Sequence, residues 1–210
     1  MVKPLLVGID RDGTLIRDVG YFGKNPTWKK DILILDKVVE GIKILNKIGA
    51  KIVVVTNQSG VARGYYDEKR IGEINAEIDK RLGKKGTSID GWYFTTHVTK
   101  EYAVAKGISL DSPHVKENSE DRKPGTGMLK KAAASLEKRL TDFDVWFIGD
   151  KEVDVATGLK AGGRGILVLT GESAEHIENV KKLAKENPGR VFIVKTLEDA
   201  ALLVKKSTLS

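Results

Sequence analysis

Short runs of β-branched residues recur along the chain, and the stretches between them repeat their apolar residues at helical spacing. That alternation predicts a parallel sheet covered by helices on both faces, a doubly wound, Rossmann-like α/β fold. Leu5–Ile9 reads as the first strand. Val38, Ile42 and Leu45 share one face of a helix that Asp36 can cap and Gly49 can end, and Ile52–Val55 follows as the second strand. Ile71, Ile74, Ile78 and Leu82 mark an amphipathic helix behind an Asp67 cap, leading to a strand at Trp92–Thr95. From Thr96 to Pro124 no period is sustained, and Gly107, Pro113 and the polar stretch Lys116–Lys123 predict a long excursion of a kind that compact domains usually keep for function or leave disordered. Regularity resumes with a helix over Thr126–Leu140, for whose first position Pro124 is suited, then a strand at Val145–Ile148, a helix from about Val153, and strands at Gly165–Leu169 and Val191–Val194. No linker, repeat or low-complexity tract interrupts the 210 residues, so one domain over 1–210 is expected. A chain of this length buries roughly 70% of its unfolded surface without needing staples.

Open α/β sheets bind ligands at the carboxyl ends of their strands. Four polar segments occupy such places: Asp10-Arg11-Asp12-Gly13-Thr14, Thr56-Asn57-Gln58-Ser59, Gly149-Asp150 with Lys151 and Asp154 beyond, and Arg122-Lys123-Pro124 at the end of the excursion. An Asp-x-Asp-Gly stretch alone can be a turn, and Asp154 can be no more than a helix cap, so it stays outside the expected ligand set. Together, however, carboxylates at two strand ends repel one another unless a cation neutralises them. Mg²⁺ suits such hard oxygen ligands and also accepts phosphate oxygens. The absence of cysteine excludes disulfides, thiolate zinc sites and a cysteine nucleophile.

The DRDGT, TNQSG, RKP and GDKEVD segments together resemble the haloacid dehalogenase (HAD) superfamily of phosphatases, and the resemblance spans Ile9 to Gly162. DVGY, TNQSGVARGYY and DRKPGTGML resemble its heptose bisphosphate and histidinol phosphatase branch, and the Ser59–Gly64 continuation is similar to the heptose bisphosphate side. The resemblance implies that Asp10 attacks phosphorus to form an aspartyl phosphate. It also implies that Asp12 protonates the leaving alkoxide and then activates water. Mg²⁺ would be held by a carboxylate oxygen of Asp10, the backbone carbonyl of Asp12, and Asp150. Lys123 and the Thr56 hydroxyl would steady the transferring phosphoryl group. Substrate contacts would come from Asp18, Val19, Gly20, Tyr21, Asn57, Gln58, Ser59, Arg63, Arg122 and Lys151, since no separate cap domain is expected to supply them. Members of the branch carry a zinc loop of three cysteines and a histidine. Here Thr95, Ser119 and Asp121 stand at the cysteine positions and only His97 remains, so no structural zinc is expected and His97, His114 and His176 read as ordinary polar residues.

A charge of +7 admits either nucleic acid or a small anionic substrate as partner. Lysine pairs such as Lys29–Lys30, Lys84–Lys85, Lys130–Lys131 and Lys181–Lys182 are scattered and lack interleaved aromatics, which favours a solvated surface and speaks against nucleic acid. Gln58 is the only glutamine, and this together with 31% charged residues leans toward a heat-adapted source. The start at Met1–Lys3 shows no signal-peptide pattern, and apolar runs such as Ile166–Leu169 fall far short of the ~20 residues of a membrane helix. The expectation is a cytoplasmic monomer acting on a phosphorylated metabolite, a sugar bisphosphate first. The alternatives are histidinol phosphate, a nucleic-acid terminal phosphate, or a non-catalytic sugar-phosphate-binding regulator.

Overall fold

In the computed structural model, which describes residues 3–208, six strands pair in parallel: β1 (Leu5–Ile9), β2 (Lys51–Asn57), β3 (Gly91–Thr95), β4 (Asp144–Gly149), β5 (Arg164–Val168) and β6 (Val191–Val194). Their order is β3-β2-β1-β4-β5-β6, so the direction of winding reverses at β1. Ile9 lies opposite Val54 on one side and Ile148 on the other, which brings the ends of β1, β2 and β4 level. A crevice therefore opens where Asp10 leaves the sheet. Met1, Val2 and the last two residues, with the reading of the N-terminus that begins on Met1, lie outside the described residues.

Alternate residues of each strand face opposite layers. Leu5, Val7, Ile9, Ile52, Val54 and Ile148 pack under α2 (Val38–Lys47), α3 (Glu68–Gly83) and α8 (Leu197–Ser207). Leu6, Val53, Val55 and Phe147 pack under α5 (Gly127–Ser135) through Met128, Leu129, Ala132 and Ala133. A third cluster joins Val155 of α6 (Glu152–Lys160) to Val180 of α7 (Ser173–Glu186) across Leu167 and Val191. Burying each such aliphatic side chain contributes roughly 1.5–3 kcal/mol, so the strand ends rest on a rigid support.

Asp67 caps α3 as expected, accepting from the Arg70 N–H at 2.9 Å, and Gly49 turns the chain at φ 75° after α2. Asp36 does not cap α2. The chain enters that helix through Lys37 at φ 65°, leaving Asp36 one residue too early to reach the first turn. The helix expected over Thr126–Leu140 stops at Ser135 because Glu137 adopts φ 56°, and Leu140–Asp142 form a separate 3₁₀ turn. Pro124 is not at the first helical position, since α5 begins at Gly127. Two short helices were not anticipated, α1 (Trp28–Asp31) and α4 (Lys100–Ala105), the second inside the excursion and capped by Thr99. Nor were α7 and α8, although Ile177, Val180, Leu183 and Ala184 carry the helical spacing of α7. Between β1 and β2 the described residues hold α1, α2, isolated bridges and loop, and between β2 and α5 they hold α3, β3, α4, an isolated bridge and loop.

Candidate active site

Asp10 follows β1 directly, its N–H donating to the carbonyl of Ile148 on β4 at 2.9 Å. The Lys123 ammonium lies 2.5 Å from one Asp10 oxygen and 2.7 Å from Asp154, with all three side chains buried. Asp150, fully enclosed, accepts from the Thr14 hydroxyl at 3.2 Å and from the Glu172 N–H at 2.9 Å. Asp154 does cap its own helix, accepting from the Lys151 N–H at 3.0 Å, yet it also completes a group with Asp10 and Asp150 whose oxygens lie within 4.8 Å of one another. Cα–Cβ geometry explains the glycines around it. A side chain at Gly13 or Gly171 would run into the Asp150 carboxylate, and one at Gly149 would run into Asp154.

Burial pushes the Asp10 carboxyl up to about 8, with Lys123 opposing and the charges of Asp154, Asp150 and Asp12 adding to the rise. Asp150 is pushed up to about 6, again by burial and by Asp154, against the Glu172 N–H. Burial works against the charge of Lys123, but Asp10 and Asp154 outweigh it and hold the ammonium above its usual range. One cation faces three buried carboxylates, so the set retains an excess of negative charge. It offers only oxygen donors, which fits a hard divalent cation.

Asp12 turns toward other partners. Both of its oxygens accept from the fully buried Arg11, at 3.1 and 2.9 Å, and one accepts from Gln58 at 2.7 Å. Arg11 is anchored in turn on Asn75 of α3 at 3.0 Å. The Gln58 amide also donates to the Thr56 hydroxyl at 2.8 Å and accepts from Tyr66 at 3.2 Å. Asn57 closes on the main chain of Lys123 from both sides, accepting from its N–H at 3.0 Å and donating to its carbonyl at 3.3 Å.

Asp10, Asp12, Thr56, Asn57, Gln58, Lys123 and Asp154 face a cleft of about 1080 Å³, which is also lined by Asp18, Gly20, Tyr21, Ser59, Arg122 and Lys151. Val19, Arg63 and Asp150 do not line it. Val19 points outward, and Asp150 sits beneath the floor. Arg63 lies behind the wall, donating to the hydroxyls of Tyr102 at 3.0 Å and Tyr65 at 3.2 Å with its guanidinium 4.5 Å from the Tyr21 ring. Lys151 pairs with Glu172 at 3.0 Å and lies 3.8 Å from Asp18, while Arg122 donates to the carbonyl of His97 at 2.8 Å. Three of the four positions where relatives carry zinc ligands are joined without cysteine: His97 shares a 2.6 Å hydrogen bond with Ser119 and its backbone N–H donates to the Thr95 hydroxyl at 3.2 Å, while Asp121 pairs with Lys131 on α5. Sequence reasoning missed Arg11, Asn75, Tyr102 and Glu172 and set Asp154 aside. Only Asp154, four positions after Asp150, carried a local signal.

A parallel sheet with a buried carboxylate at the switch point, a buried lysine and two further carboxylates defines the class, a HAD-like hydrolase, and the family model described as "HAD-hyrolase-like" matches residues 121–200. The D-glycero-D-manno-heptose-1,7-bisphosphate 7-phosphatase of Chlorobaculum tepidum is 31% identical over 172 residues, 80% of each chain. The D-glycero-beta-D-manno-heptose-1,7-bisphosphate 7-phosphatase of Photorhabdus laumondii is 35% identical over 170 residues, 79% of this chain and 81% of that one. The chain belongs to this family of heptose bisphosphate phosphatases. A solved structure of D,D-heptose 1,7-bisphosphate phosphatase from B. bronchiseptica, complexed with magnesium and phosphate, shares the fold at a TM-score of 0.72 and 24% identity, covering 97% of this chain and 99% of that one.

Proposed function

We propose that the protein removes the 7-phosphate of D-glycero-D-manno-heptose 1,7-bisphosphate in a Mg²⁺-dependent reaction through an aspartyl phosphate on Asp10. The observation that carries this reading is the buried Asp10 carboxylate, set against Lys123 with Asp150 and Asp154 behind it at the mouth of the cleft. Asp10, Asp150 and Asp154 would hold Mg²⁺ through their carboxylate oxygens, and the backbone carbonyl of Asp12 would add a further oxygen. When bound, the ion offsets charge on the phosphoryl oxygens and keeps Asp10 ionised at neutral pH.

The Asp10 oxygen forms a bond to phosphorus as the bond to the sugar oxygen breaks, and Asp12 delivers a proton to that oxygen. Asp12 then takes a proton from water as it attacks phosphorus, releasing phosphate and regenerating Asp10. Arg11 and Gln58 hold the Asp12 carboxylate in place for both transfers. Lys123 and the Thr56 hydroxyl steady the phosphoryl oxygens, and Asn57 supports Lys123 by its main chain.

We further take the chain as one domain, a cytoplasmic monomer. One apolar cluster draws residues from Leu5 to Val204, no helix among the described residues is long and apolar enough to cross a membrane, and the exposed large hydrophobic side chains come from separate segments. Light scattering during gel filtration checks the monomer.

Phosphate release with Mg²⁺ should be assayed on the heptose bisphosphate, histidinol phosphate and a 5′-phosphorylated oligonucleotide. The heptose bisphosphate is expected to give the highest kcat/KM. Preference for the oligonucleotide, with binding that weakens steeply in salt, would overturn the substrate assignment.

A further inference from the structure

Three loops contribute to one wall of the cleft: the one after β1 that carries Tyr21, the one after β2 that carries Ser59 and, behind it, Arg63, and the excursion after β3. They meet at one atom. The Tyr102 hydroxyl on α4 lies 3.2 Å from the Tyr21 hydroxyl, 3.2 Å from Ser59 and 3.0 Å from the donating Nε of Arg63. A phenol has one proton to give and two lone pairs, so these three neighbours saturate it. The Arg63 guanidinium lies 5.4 Å from the Tyr102 ring, and that of Arg122 lies 5.9 Å from the same ring. Little else ties α4 to the other two loops. Lys100, Glu101 and Val104 face solvent, and Ala103 is its buried residue.

Tyr102 does not itself line the cleft, whereas Tyr21, Ser59 and Arg122 do. We infer that Tyr102 is a positioning residue for substrate selection: with Arg63 bonded to it from behind, it locks Tyr21, Ser59 and Arg122 into the wall that receives the phosphate remaining on the sugar. The inference rests on the bisphosphate reading above. Chemically, the wall discriminates through arginine, whose planar fork matches phosphate oxygens only if its orientation is held. The aromatic and hydroxyl contacts of Tyr102 supply that orientation, and the reacting phosphate at Asp10 is untouched by them.

The test is Tyr102→Phe, which keeps the ring and removes the shared atom. Steady-state kinetics are measured with p-nitrophenyl phosphate, with heptose 7-phosphate and with heptose 1,7-bisphosphate, alongside the melting temperature. Expected are unchanged p-nitrophenyl phosphate turnover, a bisphosphate KM raised about 5- to 10-fold with kcat within about twofold, and an unchanged KM for the 7-phosphate, as suits the loss of one or two hydrogen bonds. Combined with Arg63→Ala the losses should be strongly non-additive, because both changes open the same contact. Full bisphosphate preference in Tyr102→Phe, or additive losses in the double variant, would overturn the inference alone. A wild-type protein that treats bisphosphate and 7-phosphate alike would overturn the substrate reading and the inference with it.

Discussion

Asp10 and Asp12 stand two positions apart in surroundings that differ in kind. Asp10 is enclosed among carboxylates with a lysine as its cation, while Asp12 is held by an arginine and an amide at the cleft surface. Asp10→Asn and Asp12→Asn are each expected to abolish turnover without altering the circular dichroism spectrum, and the double variant to be no worse than either, since both serve one reaction. Near-normal activity in either variant would refute the aspartyl-phosphate mechanism. Asn57 offers a finer distinction. Its sequence position reads as a substrate contact, but its amide grips the Lys123 main chain. Asn57→Ala should therefore lower kcat by about 10- to 100-fold while leaving KM within about threefold, and Asn57→Asp should recover part of the loss because it still accepts from the Lys123 N–H. A raised KM with intact kcat would instead make Asn57 a substrate contact. The residues at strand ends were legible because a strand end fixes where its next side chain goes. Asn75 and Tyr102 were not, since Asn75 lies 64 positions from Arg11 and Tyr102 lies 43 from Ser59 and 81 from Tyr21, and no local period marks such a pairing.

Among the elements, the strands were read to within two residues because β-branched runs have sharp edges, whereas helix ends depend on single backbone angles such as those of Lys37 and Glu137. The excursion from Thr96 was the least legible. Its six-residue helix is too short to show a period and forms because Thr99 caps it and the loops around it accept Tyr102. Its returning limb is pinned by the Val98–Val115 bridge, by Thr96 to His114 at 2.9 Å, and by His97 to Ser119. Treatment with a zinc chelator is accordingly expected to leave the melting temperature and the Mg²⁺-supported activity unchanged. About one zinc per chain after purification without added zinc, with the loop unfolding on its removal, would defeat this view of the excursion.

At the scale of the whole molecule, the buried carboxylates link stability to pH. The folded values of about 8 for Asp10 and about 6 for Asp150 lie above the ~3.9 of an unfolded aspartate, so between those limits the folded state holds more protons than the unfolded one. Their contribution to stability is fully present below about pH 4 and is lost as pH rises through 6 and 8. In EDTA the protein should therefore melt lower at pH 8.5 than these two groups allow at pH 5.5. Saturating Mg²⁺ should restore more at pH 8.5, where the carboxylates are free of protons. Tenfold tighter binding corresponds to roughly 3–5 °C for a chain of this size. Equal Mg²⁺-induced shifts at both pH values would show that protons and metal do not compete at this site. The position of β3 bears on how such an enzyme diverges. As the edge strand it feeds the excursion, and Asn57 grasps Lys123 where that segment returns. The intervening residues can thus change without moving that lysine. Its main chain is moored to the last residue of β2, so the place of its charge is set by the sheet.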